Sequence, residues 1–320
     1  MRIGCVMDPV EGLNPKKDTT FDWILAAQAR GHSVAYIRPE DLVAEGNKAF
    51  CWSAPVTVRR PTADDPSHAS VGERAYGPLS EFDVVWMRRD PPFDTDYLYS
   101  TYILELAEEA GDCWVLNRPA GLRDANEKAY ALHFPDAIPT TVVTHRKERI
   151  KAFLEEMGGR CIVKPLDGHG GAGIFMLRSD DLNVNSILEV ITEEETRFVM
   201  AQRYIPEARE GDKRVILIDG EPIGGILRVP ASGELRGNIH VGGRVVQAEL
   251  TERDRALAAM VAPRLRKDGL YFVGLDIIGD YVTEVNVTSP TGIQEMSRLD
   301  GEPYSERWIA WIEEQLAART

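Results

Sequence analysis

Cys161-Ile162-Val163-Lys164-Pro165-Leu166-Asp167-Gly168-His169-Gly170-Gly171-Ala172-Gly173-Ile174-Phe175-Met176-Leu177 is the stretch from which this chain is best read. Two apolar runs, 161–164 and 174–177, enclose a turn that fits G-x-G-x-x-G. A dinucleotide-binding fingerprint would open a helix, whereas 174–177 reads as a strand. The turn does not end in Gly-Lys-Ser/Thr, which sets the phosphate loop of P-loop proteins aside. Strands joined by so short a connection pair antiparallel, as a hairpin. A glycine-rich turn between strands can close over phosphates, as in protein kinases. Lys164, on the strand entering the turn, then carries an ammonium within reach of them. A plain hairpin with an exposed lysine fits this segment equally well when it is taken alone.

Upstream, 3–6 is a short apolar strand, and Asp18-Thr19-Thr20 supplies a helix N-cap. Phe21, Ile24, Leu25 and Gln28 follow at helical spacing, Gly31 stops the helix, and Val34 and Tyr36 begin the next strand. This βαβ unit predicts a parallel sheet. Strands at 83–87 and 114–116 flank a helix at 94–110, and the first domain ends near Arg118-Pro119. Downstream the pattern changes to hairpins. Runs 214–218 and 222–228 flank Asp219-Gly220, and 274–278 and 281–287 flank Gly279-Asp280. Helices are expected over 147–157 and 251–267, and strands over 141–143 and 198–204.

The chain is 43% apolar and 28% charged, as ordinary globular proteins are, with a formal charge of −14. A surface of that sign repels nucleic acid and anionic membranes. No run approaches the roughly 18 apolar residues of a membrane span, and the N-terminus lacks the apolar core of a signal peptide. A cytoplasmic protein is expected. Cys5, Cys51, Cys113 and Cys161 are scattered without a CxxC pair, so they read as buried thiols, not as disulfides, zinc ligands or nucleophiles.

Asp276, Glu284 and Asn286 lie on the two arms of the last hairpin. Magnesium on a nucleotide takes one or two carboxylates besides phosphate oxygens, and residues 284 and 286 share a strand face. A solvent-facing polar stripe is the plainer alternative. For Asp276 and Glu284 to share a face, the paired residue numbers across the hairpin must sum to an even number. A simple two-residue turn at Gly279-Asp280 would pair 276 with 283, so a three-residue connection or a β-bulge is predicted. Lys128, Arg214 and Arg228, with Asp212 nearby, could bind phosphate or carboxylate. Each alone could be a surface charge. What argues for a site is their coincidence with a glycine turn and a metal set.

Longer motifs carry a family resemblance. Val6-Met7-Asp8-Pro9, Met87-Arg88-Arg89-Asp90-Pro91-Pro92-Phe93-Asp94-Thr95, Asn126-Glu127-Lys128 and Lys164-Pro165-Leu166-Asp167-Gly168 resemble bacterial glutathione synthetases of the ATP-grasp superfamily. So do Gly211-Asp212-Lys213-Arg214, Arg236-Gly237-Asn238, 274–280 and 283–290, in order and nearly end to end. The chain departs at His169, where an apolar residue is expected, and after Thr291.

The resemblance implies an α/β N-terminal domain (1–122) followed by a two-domain α+β ATP-grasp fold. Its central subdomain (123–200) carries the glycine-rich flap, and its C-terminal subdomain (201–320) carries the metal site and a lid loop, 229–244. It further implies ligation of γ-L-glutamyl-L-cysteine to glycine through an acyl phosphate, with ATP and magnesium or manganese, by a homo-oligomer. Lys128, Lys164, Gly168, Gly170, Gly171, Gln202, Tyr204, Ile205 and Asp212 would then bind ATP. Asp276, Glu284 and Asn286 would hold the metal. Arg214 and Arg228 would stabilise the acyl phosphate and tetrahedral intermediate, and Arg236, Gly237, Asn238 and Ser289 would meet substrate. A D-alanine–D-alanine-type ligase would share the nucleotide site but differ in the segments 6–9 and 87–95. A non-catalytic nucleotide-binding regulator would not need the metal ligands and arginines, all of which are present.

The lid expectation is testable without a structure. Loop 229–244 is rich in glycine and has little to bury, so it cannot offset its own ordering entropy. An acyl phosphate is lost to water unless the site closes. Protease cleavage in this loop should fall when ATP and substrate are bound. Equal cleavage in both states would count against a lid.

Overall fold

The computed structural model describes residues 1–111, 113–168, 170–231 and 243–319, and the strands among them form three sheets. β1 (Arg2–Val6) leads to α1 (Thr19–Ala29), where the Asp18 carboxylate accepts the Phe21 amide at 2.9 Å. β2 (Ser33–Glu45) returns parallel to β1, as the βαβ reading requires. The sheet is nevertheless mixed. β3 (Lys48–Val58) runs antiparallel to β2, and β4 (Ala69–Val71) and β5 (Ala75–Pro78) both add antiparallel to β3. The sequence reading assigned no strands to 48–78. β3 buries Ala49 and Cys51 toward one face and Ala54, Val56 and Val58 toward the other, and Pro55 removes a donor, so no single-face alternation marks it as a strand.

β6 (Val84–Met87), α2 (Thr95–Glu109) and β7 (Trp114–Leu116) complete this sheet, with β6 parallel to both β1 and β7. Its order, β4-β3-β2-β1-β6-β7, reverses at β1. The carboxyl ends of β1 and β6 therefore border the crevice where open α/β sheets receive ligands.

After α3 (Pro119–Asp124), the second sheet is built from β8 (Thr141–Thr144), β9 (Arg160–Pro165), β10 (Phe175–Arg178) and β11 (Val199–Arg203). Their order is β10-β9-β11-β8 with every pair antiparallel, so residues 161–177 do form a hairpin. α4 (Lys147–Glu156) lays Ile150, Phe153 and Leu154 on Cys161, Val163 and Leu177, and α5 (Val184–Ile191) adds Leu188 and Ile191 to the same core.

β12 (Asp212–Ile218), β13 (Glu221–Val229), β14 (Arg244–Gln247), β15 (Phe272–Ile278) and β16 (Tyr281–Asn286) form the third sheet, ordered β14-β13-β12-β15-β16 and antiparallel throughout. Asp219 and Gly220 at the β12–β13 turn both have positive φ (49° and 77°), which a two-residue primed hairpin demands. α6 (Glu252–Asp268) opens with a Thr251/Asp254 capping box. It buries Leu257, Val261 and Leu265 in one core with Val215, Leu217, Val273 and Leu275.

The chain then returns to its beginning. α7 (Ile293–Asp300) is followed by α8 (Tyr304–Arg319), whose Trp308 stacks on Trp23 of α1 with ring centroids 5.0 Å apart. Phe272 at the head of β15 meets both rings, at 4.6 Å from Trp23 and 5.2 Å from Trp308. The first and third sheets thus share a buried aromatic cluster. All four cysteines are buried, as expected, and Cys5, Cys51 and Cys161 are free thiols. Among the described residues no helix is long and apolar enough to cross a membrane.

Candidate active site

Register across the third sheet assembles a row of charge. Asp212 pairs with Arg228, Arg214 with Asp276, and Asp276 with Glu284. Asp212 and Arg214 are two apart on β12, so these side chains project from one face. The Asp276–Glu284 pairing depends on a shift in register. Ile277 pairs with Val282 and Ile278 with Tyr281, as a two-residue turn dictates, and Thr283 is the extra residue that restores Glu284 to Asp276. This is the predicted bulge. Asn286, opposite Gly274, continues the row and donates its amide to the Gly274 carbonyl at 3.1 Å, leaving its own carbonyl oxygen free of that bond.

The row is internally neutralised. The Arg214 guanidinium forks onto Asp276, through Nε to Oδ1 and Nη2 to Oδ2, the latter at 2.9 Å. Arg228 bridges Asp276 Oδ2 at 2.8 Å and Asp212 Oδ1, reached by its Nε at 2.7 Å. Burial pushes the Asp276 carboxyl up, but the two guanidiniums outweigh it and hold the group well below the usual carboxylate range. Asp212 is pushed by burial up to about 6, with Arg228 opposing and the Asp276 charge adding.

The second sheet and the segment before it contribute lysines. Lys164 on β9 donates to the Thr283 carbonyl at 3.1 Å, so the bulged residue is also what the central sheet grips. Lys128 donates to the Gly168 carbonyl at the base of the glycine-rich turn. Both ammoniums approach Glu284 Oε1, at 3.6 Å from Lys128 and 3.7 Å from Lys164. Burial pulls the Lys164 ammonium below its ordinary value, and Glu284 pulls it back. Four cations thus face these three carboxylates, with Glu127 beside Lys128 as a fourth, so positive charge is gathered here in an acidic chain without an excess.

A cleft runs between the second and third sheets. Ile162, Ile174, Met176, Ile205 and Ile278 give it apolar walls, and Lys164, Gly171, Asp212, Asp276 and Glu284 form its polar end. Residues 202–205 border it, and Gln202 is tied by its side-chain amide to Thr141 at 3.0 Å. The Tyr204 hydroxyl is buried without a hydrogen-bond partner among the described residues. Gly170, Gly171 and Gly173 have φ of 64°, 80° and 72°, a left-handed run that side chains resist. Gly168 is fixed by space, since a Cβ there would stand 2.7 Å from Pro165.

Ser289, just beyond β16, is half-buried. Arg236, Gly237 and Asn238, the greater part of loop 229–244, and His169 lie outside the described residues. A second cleft is lined by Pro91, Phe93, Leu122, Glu127, Leu166, Gly168 and Thr288 among others, and Lys128 links it to the first, donating to the Gly168 carbonyl of one and approaching Glu284 of the other. The sequence reading quoted Glu127 within a motif but gave it no part.

Among the described residues no three His, Cys, Asp or Glu side chains converge. The donor set is instead two carboxylates and an amide oxygen on one sheet face, which suits a hard divalent cation completed by phosphate oxygens.

Two sheets closing on such a cleft, with a glycine turn over one end, define the ATP-grasp ligases. The fold matches the ATP-grasp ligase PsnB, solved with a minimal precursor, Mg and ADP, at a TM-score of 0.64 and 17% identity, covering 99% of this chain and 98% of that one. It matches D-alanine–D-alanine ligase from Bacillus anthracis, complexed with ATP, at 0.63 and 15%, covering 100% and 98%. At such identities the likeness is one of fold. Residues 1–123 match the N-terminal domain of prokaryotic glutathione synthetase, and residues 127–301 match its ATP-grasp domain. The glutathione synthetase of Gloeobacter violaceus is 48% identical over 319 residues, covering 98% of this chain and 97% of that protein. The chain belongs to the prokaryotic glutathione synthetase family.

Proposed function

We propose that the protein is a glutathione synthetase, joining γ-L-glutamyl-L-cysteine to glycine with conversion of ATP to ADP and phosphate. The observation that carries this reading is its near-full-length identity to glutathione synthetases, at 48% for the relative above.

The site residues support a sequence of roles. The apolar walls of the cleft take the adenine, with the backbone of 203–205 along its edge and Asp212 toward the ribose. Gly168, Gly170 and Gly171 cover the phosphates, which Lys128 and Lys164 hold. An ammonium with a lowered pKa remains a cation when phosphate replaces its lost solvation. Asp276, Glu284 and Asn286 would hold magnesium or manganese. Such an ion would neutralise the charge on the transferring phosphate.

The cysteine carboxylate of the dipeptide attacks the terminal phosphorus of ATP, and the bond from that phosphorus to ADP breaks. The glycine nitrogen then attacks the acyl carbon, and phosphate leaves from the tetrahedral intermediate. Arg214 and Arg228 are rigidly buried donors for the charge that develops on the carbonyl oxygen. Removing one such donor typically costs about 10²–10³ in rate. No side-chain nucleophile is required. Ser289, with Arg236, Gly237 and Asn238 of the lid, is assigned to substrate contacts, and a homo-oligomer is the assembly this reading implies.

Phosphate release from ATP tests the activity directly. It should require γ-glutamylcysteine and glycine together. Release with D-alanine instead would move the chain to the rival ligase class.

A further inference from the structure

The second cleft is lined by hydrocarbon and by polar side chains that already have partners, with one exception. Asn126 accepts the amides of Lys128 and Ala129 at 3.2 and 2.9 Å and donates to the Leu166 carbonyl at 3.2 Å. Arg123 is held by Glu105 at 2.6 Å, and Asp167 by Arg197 at 2.5 Å. Thr288 donates to Glu127 Oε1 at 3.0 Å. Glu127 Oε2 has neither a hydrogen bond nor an ion pair among the described residues. Its backbone is fixed as well, because the Val285 amide donates to the Glu127 carbonyl at 2.9 Å. Burial raises the carboxyl, with the Glu284 charge adding, and Lys128 offsets this only in part. A half-buried carboxylate with Pro91, Phe93, Leu122 and Leu166 in the same cleft gains from a cation that completes it.

From this geometry we infer that Glu127 binds the free α-ammonium of the γ-glutamyl arm, with the apolar walls of the second cleft holding the arm's methylenes. The inference rests on the activity proposed above. In that reaction the cysteine carboxylate must sit at the phosphate end, beside Lys128 and Arg214. The ammonium lies at the opposite end of the dipeptide, so the group recognising it must stand in an adjoining compartment. Lys128 links the second cleft to the nucleotide cleft through Gly168 and Glu284, and the second cleft has one anion with an unpaired oxygen. A single carboxylate among hydrocarbon suits an organic ammonium better than a metal ion, which would want several oxygens.

Glutaryl-cysteine, which differs from γ-glutamylcysteine only in lacking that amino group, is the probe. With the wild-type enzyme, kcat/KM for glutaryl-cysteine should fall at least about tenfold below that for γ-glutamylcysteine, as sites built around a charged hydrogen bond reject analogues lacking it. Glu127→Gln keeps an acceptor for Thr288, so it separates a structural role from recognition. It should raise KM for γ-glutamylcysteine by about tenfold or more, leave KM for ATP unchanged, and largely erase the difference between the two dipeptides. Equal use of both dipeptides by the wild type overturns the inference even if the variant fails to fold. So does a variant that keeps its discrimination, or one whose defect lies in KM for ATP. Absence of any ATP-dependent ligation of γ-glutamylcysteine would instead overturn the proposed function, which distinguishes the two failures.

Discussion

Glu284→Gln is expected to lower ligation by about 10²–10⁴-fold, the several kcal/mol that charge neutralisation at transferring phosphate supplies, while leaving the fold intact. Asp276→Asn should lose as much activity and lose stability besides. The difference follows from the neighbours of each carboxylate. Glu284 is partly exposed, and its lysines stand 3.6 and 3.7 Å away. Asp276 is buried and takes the fork of Arg214 and the Nη2 of Arg228. Removing its charge leaves two buried guanidiniums with Asp212 as their nearest counter-charge. Breaking a buried ion network in this way typically costs about 3–5 kcal/mol. Denaturant midpoints and turnover at saturating magnesium, measured on both variants, check this contrast. Near-wild-type turnover in Glu284→Gln would remove it from the metal set, and equal stabilities would show that the arginines do not depend on Asp276.

The site was legible in the sequence because its chemistry sits in strands whose parity can be counted. Asp276 and Glu284 could share a face only if the hairpin departed from a simple turn, and Thr283 is that departure. Asp219-Gly220 likewise announced its turn through residues able to take positive φ. Less was legible where contacts are distant in sequence. Nothing local marks Thr283 as the carbonyl that Lys164 grips, since the two meet only when separate sheets dock. Arg214 and Arg228 were expected to stabilise the acyl phosphate and tetrahedral intermediate, and their engagement with Asp212 and Asp276 is a cross-strand fact that needs the register of three strands. The mixed character of the first sheet was hidden because the buried face of β3 switches between Cys51 and Ala54 and Pro55 follows, which breaks the alternation that marks a strand. Nothing local marks Trp308 as the partner of Trp23, since the two meet only when α8 returns onto α1.

Asn117 carries the second large effect, on stability. It follows β7 and is buried against the third sheet, where it uses both ends of its amide. Its Nδ2 donates to the carbonyls of Phe272 and Val287 at 2.9 and 2.8 Å. Its Oδ1 accepts the amides of Tyr271 and Phe272 at 2.8 and 2.9 Å. These groups flank β15 and β16, so one side chain closes the seam between the first sheet and the strands that bear Asp276 and Glu284. Asn117→Ala would strand four buried backbone groups, each costing about 1–3 kcal/mol if left unpaired. With some relaxation, a net loss of about 3–5 kcal/mol is expected, among the larger effects of a single substitution. Asn117→Asp sharpens the test. A carboxylate can still accept from the two amides but now faces two carbonyls with no proton to offer, so burial and those carbonyls raise its pKa in the folded state. The protonated form, which can donate once, is favoured below that pKa. Relative to wild type, the Asp variant should therefore recover stability as pH falls and lose it as pH rises through the folded-state value. A loss under about 1 kcal/mol in Asn117→Ala would mean that solvent replaces these bonds and that the seam is held by the Trp23–Phe272–Trp308 cluster instead.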